Sequence, residues 1–341
     1  MTKHIILLLD YKKRLLSKWL ARPYRSGMDV NLIRSEFEKN GFSTEVLTYP
    51  EINFRERNFK DEIVLYTSSE DVDLFYKSYI EDLIYALDLQ GAILLPPFKL
   101  LKAHHNKVFM EILRDLSDVE LIKNIKTQHF GTLEDYVDFN HKIDFPKVFK
   151  SASGAVSSGV AKPGNNREAI RIIKRHSRSF SWRHDFWDLG RWLKHKDYKR
   201  ESRYRKKFIL QTFMPNMDKD WKVIVFGDKY FVLERSVKKG DFRASGSGII
   251  EYNKNLPQGM LDFAKSFFRS MQVPFLAMDI GLSNNQFVLI EFQAINFGTH
   301  TVDSAPFYFI NEAQEWKVIE EQVIVENEFV ESIVKYIDEV S

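Results

Sequence analysis

The chain has no cysteine in its 341 residues, which excludes a disulfide framework and any thiolate chemistry. It has no apolar run near the length of a membrane-crossing helix, and the early run at residues 5–9 is cut off by Asp10 too soon for a secretory signal. Internal repeats and low-complexity tracts are also missing, as are the P-loop spacing and the GxGxxG helix entry. Two adjacent histidines, His104 and His105, point to different faces with no third ligand at a recognisable spacing, so they read as structural. The expected location is the cytoplasm, with no membrane partner.

What is present is ordinary globular material. With 44% hydrophobic and 14% aromatic residues, the chain has enough to bury a large core, divided into two or three lobes. The net charge of +3 is unevenly spread. Residues 167–207 hold fifteen Lys and Arg against five acids, interleaved with Trp182, Phe186, Trp187, Trp192, Tyr198 and Tyr204. Such a block suggests a polyanionic partner or substrate, or else a solvated helical face. Arginine with aromatics also serves single-stranded nucleic acid, but no recognised nucleic-acid module accompanies it, which argues against that partner on sequence grounds.

The pattern predicts an α/β (α+β) protein. Strands at 4–9, 43–49, 62–67 and 92–95 alternate with helices at 29–40 and 75–89, a small parallel domain whose ligand side would lie near Asp10 or residues 68–71. Helical spacing follows at 100–116. A strand through Val148 and Phe149 ends in Lys150 and opens into a Gly/Ser loop, which reads either as a phosphate cradle or as a plain hairpin turn. Another strand spans 208–213, and strands at 221–226 and 230–234 are joined by Gly227 and Asp228, a hairpin signature. A helix at 261–271, a polar-aromatic loop at 297–311 and a closing helix at 328–340 complete the chain.

The stretch 275–296 decides most. Both of its runs alternate with period two, and matching their apolar faces sets Ile280 opposite Ile290 and Asp279 opposite Glu291. That register requires an odd loop centred on Asn285. It puts two carboxylates and the Gln293 amide on one face, either as a cation site or as solvent-facing acids on an edge hairpin.

In order, the segments K-D-W-K-V-I-V-F-G-D-K, K-K-G-D-F-R-A-S, A-M-D-I-G and I-E-F-Q-A resemble the ATP-grasp superfamily, most nearly the branch holding glutathione synthetase and the ribosomal-protein glutamate ligases. The resemblance covers roughly residues 100–300. It implies an α/β domain at 1–100, a first grasp lobe at 101–210 with the basic insertion, and a second at 211–341. It further implies that Lys107 and Lys150 reach nucleotide phosphates from two subdomains, under a loop containing Ser153, Gly154, Ser157, Ser158 and Gly159. Gln211, Thr212, Phe213 and Met214 would read adenine, followed by the pair Asp220 and Lys222. Arg235 and Arg243 would act at the transferred phosphate and the substrate carboxylate. Asp279, Glu291 and Gln293 would hold Mg²⁺ or Mn²⁺. Two departures stand out: Gln293 where the family commonly has asparagine, and a longer basic, Trp-rich insertion. The implied activity is an ADP-forming carboxylate–amine ligase using ATP, on an acidic substrate such as a polysaccharide or peptide and an amine donor. A phosphotransferase and a polyanion-binding protein on a degenerate fold are the alternatives.

Overall fold

The computed structural model describes residues 3–154, 159–179, 181–237 and 248–340. It divides into two compact units, the first Met1–His104, Ser117–Ile122 and Met217–Ser341, the second His105–Leu116 and Lys123–Asn216.

The first unit begins with β1 (Lys3–Leu9), α1 (Val30–Lys39), β2 (Phe42–Thr48), β3 (Ile63–Tyr66), α2 (Phe75–Gln90), β4 (Ile93–Leu95) and α3 (Phe98–Ala103). The strands form a sheet of order β2-β1-β3-β4 with every pairing parallel, as the alternation predicted. Helix α1 starts where Asp29 accepts the amides of Asn31 and Leu32, a side-chain cap that satisfies two otherwise orphaned donors. At the carboxyl end of β1, buried Asp10 accepts the amides of Lys12 and Arg14 and pairs with the Arg14 guanidinium, so it holds a turn.

The second unit opens with α4 (Lys107–Asp115). The single helix expected over 100–116 is therefore two. The break falls where His105 takes a left-handed φ of 51° and Asn106 accepts the Phe109 amide as a fresh cap. Then come β5 (Thr127–Phe130), α5 (Leu133–Phe139), β6 (Lys147–Ser151), β7 (Val160–Ala161), α6 (Asn166–His176), α7 (Trp182–Lys194) and β8 (Phe208–Thr212). The antiparallel sheet runs β5-β8-β6-β7. Phe130, Phe149, Phe208 and Leu210 on one face pack with Leu133 and Tyr136 of α5 and Ala169 and Ile173 of α6.

The chain returns to the first unit with β9 (Lys219–Phe226), β10 (Lys229–Ser236), β11 (Ile250–Glu251), α8 (Met260–Met271), β12 (Phe275–Ser283), β13 (Gln286–Gln293), α9 (His300–Asp303), β14 (Tyr308–Glu312), β15 (Glu315–Ile319) and α10 (Val325–Val340). The sheet runs β13-β12-β9-β10-β14-β15, with β11 beside β10. The loop expected at 297–311 instead holds α9 and most of β14. The β14–β15 turn is Ala313 and Gln314, both at positive φ, and neither residue type announces such a turn. Phe263 and Phe267 of α8 lie against Phe287 and Phe292 on one face of β13. On the other face, Phe226, Phe231 and Phe275 meet Phe297 and, from α10, Phe329.

The β12–β13 hairpin keeps Asp279 opposite Glu291 but corrects the rest of the expected register. Ile280 faces Leu289, and Ser283 faces Gln286 across a two-residue turn of Asn284 and Asn285 at φ 49° and 60°. Both asparagines tolerate the left-handed region, which favours this even, primed turn over an odd loop. Ile290 is then the extra residue of a β-bulge, where the register shifts between Asp279 and Ile280. Replacing Asn285 with valine should cost about 1–3 kcal/mol in urea unfolding, since a β-branched residue resists positive φ, while glycine there should be neutral or stabilising.

Candidate active site

In the first unit the bulge has a chemical consequence. Carried through unbroken, the two-residue turn would set Asp279 opposite Ile290 and turn Glu291 and Gln293 to the α8 side, because side chains alternate faces along a strand. With one residue inserted, Glu291 faces Asp279 and Gln293 faces Ala277, so all three ligand candidates share a face. The row continues inward: Lys222 of β9 lies opposite Asp279, Asp220 opposite Gly281, and Arg235 of β10 opposite Asp220. The six described candidates of this unit thus stand on one face of β13-β12-β9-β10, at the end away from the phenylalanine cluster.

Arg235 ties the row together. Its Nε donates to Asp220 Oδ1 at 2.5 Å and its Nη2 lies 2.9 Å from Asp279 Oδ2, with side-chain exposures of 11%, 6% and 17% for the three residues. Burial pushes the Asp220 carboxyl up, to about 6; the Arg235 guanidinium pulls against that and the Asp279 charge adds to it. Arg235 itself is raised further, its two carboxylates outweighing its burial. Gly281 leaves room for Met217, whose Sδ would lie 2.3 Å from an added Cβ, with Ile290 Cδ1 at 3.2 Å, so a larger residue there would have to move the Met217 side chain. Two carboxylates and an amide oxygen are hard donors of the kind Mg²⁺ or Mn²⁺ takes, and their register brings them to one place, so the residues fit a divalent cation. Beyond Gln293, Asn296 takes a φ of 52°, and its Oδ1 is buried without a hydrogen bond among the described residues.

In the second unit, Lys107 and Lys150 are both buried and both belong to the lobe of the β6–β7 loop. The Lys107 amide donates to Ala152 O at 2.9 Å and its Nζ to Gly154 O at 3.1 Å, which fixes the start of α4 against the loop. Lys150 on β6 lies opposite Val160 and Ile209, and Gln211 lies opposite Val148, so Lys150 and Gln211 share the sheet face away from the phenylalanine core. Gln211 Nε2 is buried with no acceptor among the described residues. Thr212 holds the backbone of Lys126 through its own amide and hydroxyl, and Lys162 Nζ sits 4.1 Å from the Phe213 ring centroid. Ser153 and Gly154 are exposed, while Gly159 O accepts the Ser151 amide and closes the base of the loop. Met214 is half-buried, shortly before the chain leaves this unit. Ser157, Ser158 and Arg243 lie outside the described residues.

Sequence reasoning missed the buried pair beside Lys107. Glu111 and Arg114, both on the buried side of α4, meet at 3.2 Å, and Glu111 also accepts Thr127 Oγ1 at 2.7 Å. The available signal was the spacing of Lys107, Glu111 and Arg114 at i, i+4 and i+7, one helical stripe. The bulge had no signal beyond Asn284 and Asn285.

No protein-family model matches the chain, and no curated protein matches it. Solved structures do. The D-cycloserine synthetase DcsG is similar with a TM-score of 0.55 and 10% identity, over 97% of this chain and 99% of that one. An ADP complex of N5-carboxyaminoimidazole ribonucleotide synthetase has a TM-score of 0.51 and 13% identity, over 89% of this chain and 73% of that one. The macrocyclase MdnC bound with precursor peptide MdnA, from Microcystis aeruginosa MRC, has a TM-score of 0.50 and 10% identity, over 97% of this chain and 99% of that one. The parallel sheet followed by two antiparallel sheets is the ATP-grasp architecture, and this chain has the ATP-grasp superfamily fold. At 10–13% identity these likenesses single out no branch within it.

Replacing Arg235 with methionine should leave Asp220 and Asp279 as adjacent buried like charges and lower unfolding stability by on the order of 3–5 kcal/mol near neutral pH. A second change, Asp220→Asn, should recover part of that loss in the same denaturation measurement.

Proposed function

We propose that the protein is an ADP-forming carboxylate–amine ligase that uses ATP with Mg²⁺ or Mn²⁺. The observation that carries this reading is the charged row in which the bulge at Ile290 brings Asp279, Glu291 and Gln293 onto the face of Asp220, Lys222 and Arg235. A substrate carboxylate oxygen attacks the γ-phosphorus of ATP and ADP leaves, giving an acyl phosphate. An amine then attacks the acyl carbon, the bond to phosphate breaks, and an amide forms with release of inorganic phosphate and a proton.

Chemistry of this kind is mostly positioning and charge neutralisation, which suits a site with no nucleophilic side chain. In this reading Lys107 and Lys150 hold phosphate oxygens, and their burial strengthens that attraction. Gln211 and the segment through Met214 take the adenine, where the buried Nε2 donor would find an acceptor. Asp279, Glu291 and Gln293 hold the cation, which when bound neutralises phosphate charge. Arg235 holds Asp279 in place and offers positive charge beside the transferred group, with Arg243 assigned the substrate carboxylate. Two synthetases and a macrocyclase among the similar folds support a bond-forming outcome. One of them is bound with a precursor peptide, in keeping with an acidic peptide among the candidate acceptors, beside an acidic polysaccharide.

The test is incubation with Mg-ATP, hydroxylamine and a panel of carboxylates, scoring ADP and trapped hydroxamate. Asp279→Ala and Glu291→Ala should each lower ADP release by on the order of a hundredfold with the fold intact by circular dichroism. Undiminished turnover in both variants would refute the assignment, and a stable phosphorylated product without hydroxamate would make the protein a phosphotransferase.

A further inference from the structure

The basic segment that the proposed chemistry leaves unused contains a helix built inside out. The only acids of α7, Asp185 and Asp188, are its buried residues. Asp188 accepts Tyr198 Oη at 3.0 Å, Arg200 Nε at 2.8 Å and the Glu201 amide at 3.3 Å, and Asp185 faces Arg203 Nε at 3.7 Å. Most of the large apolar side chains point the other way: Trp182 is 67% exposed, Phe186 75%, Trp187 72% and Leu193 72%, while Trp192, on the acids' own stripe by helical spacing, is still 51% exposed. A water-facing helix normally shows the opposite arrangement, with its charges out and its aromatics in.

Helical spacing orders that outward side. Trp182, Phe186 and Leu193 fall on one stripe, at i, i+4 and i+11. Arg183 and Lys194 fall on the adjoining stripe, with Trp187 and Arg191 beyond them, and all four are exposed. The outward side therefore carries aromatic and aliphatic bulk flanked by cations, with no carboxylate. Exposed Lys196 and Lys199 extend the positive charge past the helix end.

We propose that α7 is a membrane-surface element, which lies along an anionic bilayer with Trp182, Phe186 and Leu193 entering the headgroup boundary and Arg183 and Lys194 beside them pairing with lipid phosphates. Charge complementarity and the side-chain types carry this. A Trp/Phe/Leu stripe beside Lys and Arg is the composition of interfacial helices, and tryptophan favours the headgroup level. No helix of the described residues is long and apolar enough to cross a membrane, so the contact is with the surface. Single-stranded nucleic acid is the weaker fit, because it is gripped in a basic groove by stacking, whereas this face is one convex helix whose stripe includes an aliphatic leucine.

Sedimentation of the full chain with vesicles tests the proposal, using phosphatidylcholine alone and phosphatidylcholine with about a third phosphatidylglycerol at low salt. The protein should pellet with the anionic vesicles only, and added salt should release it. The variants W182S/F186S/L193S and R183S/K194S should each weaken the binding by roughly tenfold or more. Because the second leaves every aromatic in place, it remains informative if the first fails to fold. Failure to pellet with anionic vesicles, or pelleting that neither variant reduces, would overturn the proposal. So would binding of an oligothymidylate or an acidic peptide, lost in the same variants, by a protein that ignores vesicles.

Discussion

The first unit depends on how three buried or half-buried charges tolerate one another. Asp220 and Asp279 stand on neighbouring strands with Arg235 between them, and Glu291 adds a third carboxylate across the hairpin. Like charges directly opposed in a sheet repel, and partial burial makes the repulsion stronger. The guanidinium answers it for two of the carboxylates. An apolar row would be at least as stable, so under the proposed function this cluster of acids, and the bulge that turns Glu291 toward it, serve a bound cation rather than stability.

The second unit solves a related problem with opposite sign. Lys107 is anchored through its own amide to Ala152, just past the strand that carries Lys150, and through its Nζ to Gly154, so it is positioned by backbone as well as side chain. The outer end of the unit then inverts the usual rule, burying the acids of α7 and exposing its tryptophans. The unit thus keeps Lys107 and Lys150 buried and turns the cations of α7 toward solvent.

Periodicity made much of this legible. The alternating runs gave the parallel sheet in the right order of elements, the Gly227 and Asp228 turn gave the β9–β10 hairpin, and the Asp279–Glu291 pairing followed from matching apolar faces. It failed where a turn lacked its usual residues, as at Ala313 and Gln314, or where one helical spacing ran across a cap, as at His105 and Asn106. The inward acids of α7 were hidden for another reason. Composition counts Asp185 and Asp188 against the basic block, but only the position of Arg200 and Arg203 shows that they are used internally.

The sequence by itself determined the parallel-sheet strands, β6, β8, β9, β10 and the β12–β13 pair, the helices α1, α2, α8 and α10, the residue types of the site and the opposition of Asp279 to Glu291, because those follow from local period and from short-range pairing. The elements β5, β7, β11, α5, α6 and α9 and the β14–β15 hairpin did not show in it. Tertiary structure decided the rest. The two-residue turn demanded one register and the apolar face demanded another, and only a bulge at Ile290 meets both. Which charges pair, which carboxylate is pushed up, and which side of α7 meets the solvent depend on strands and segments far apart in the chain, whose meeting no local pattern encodes.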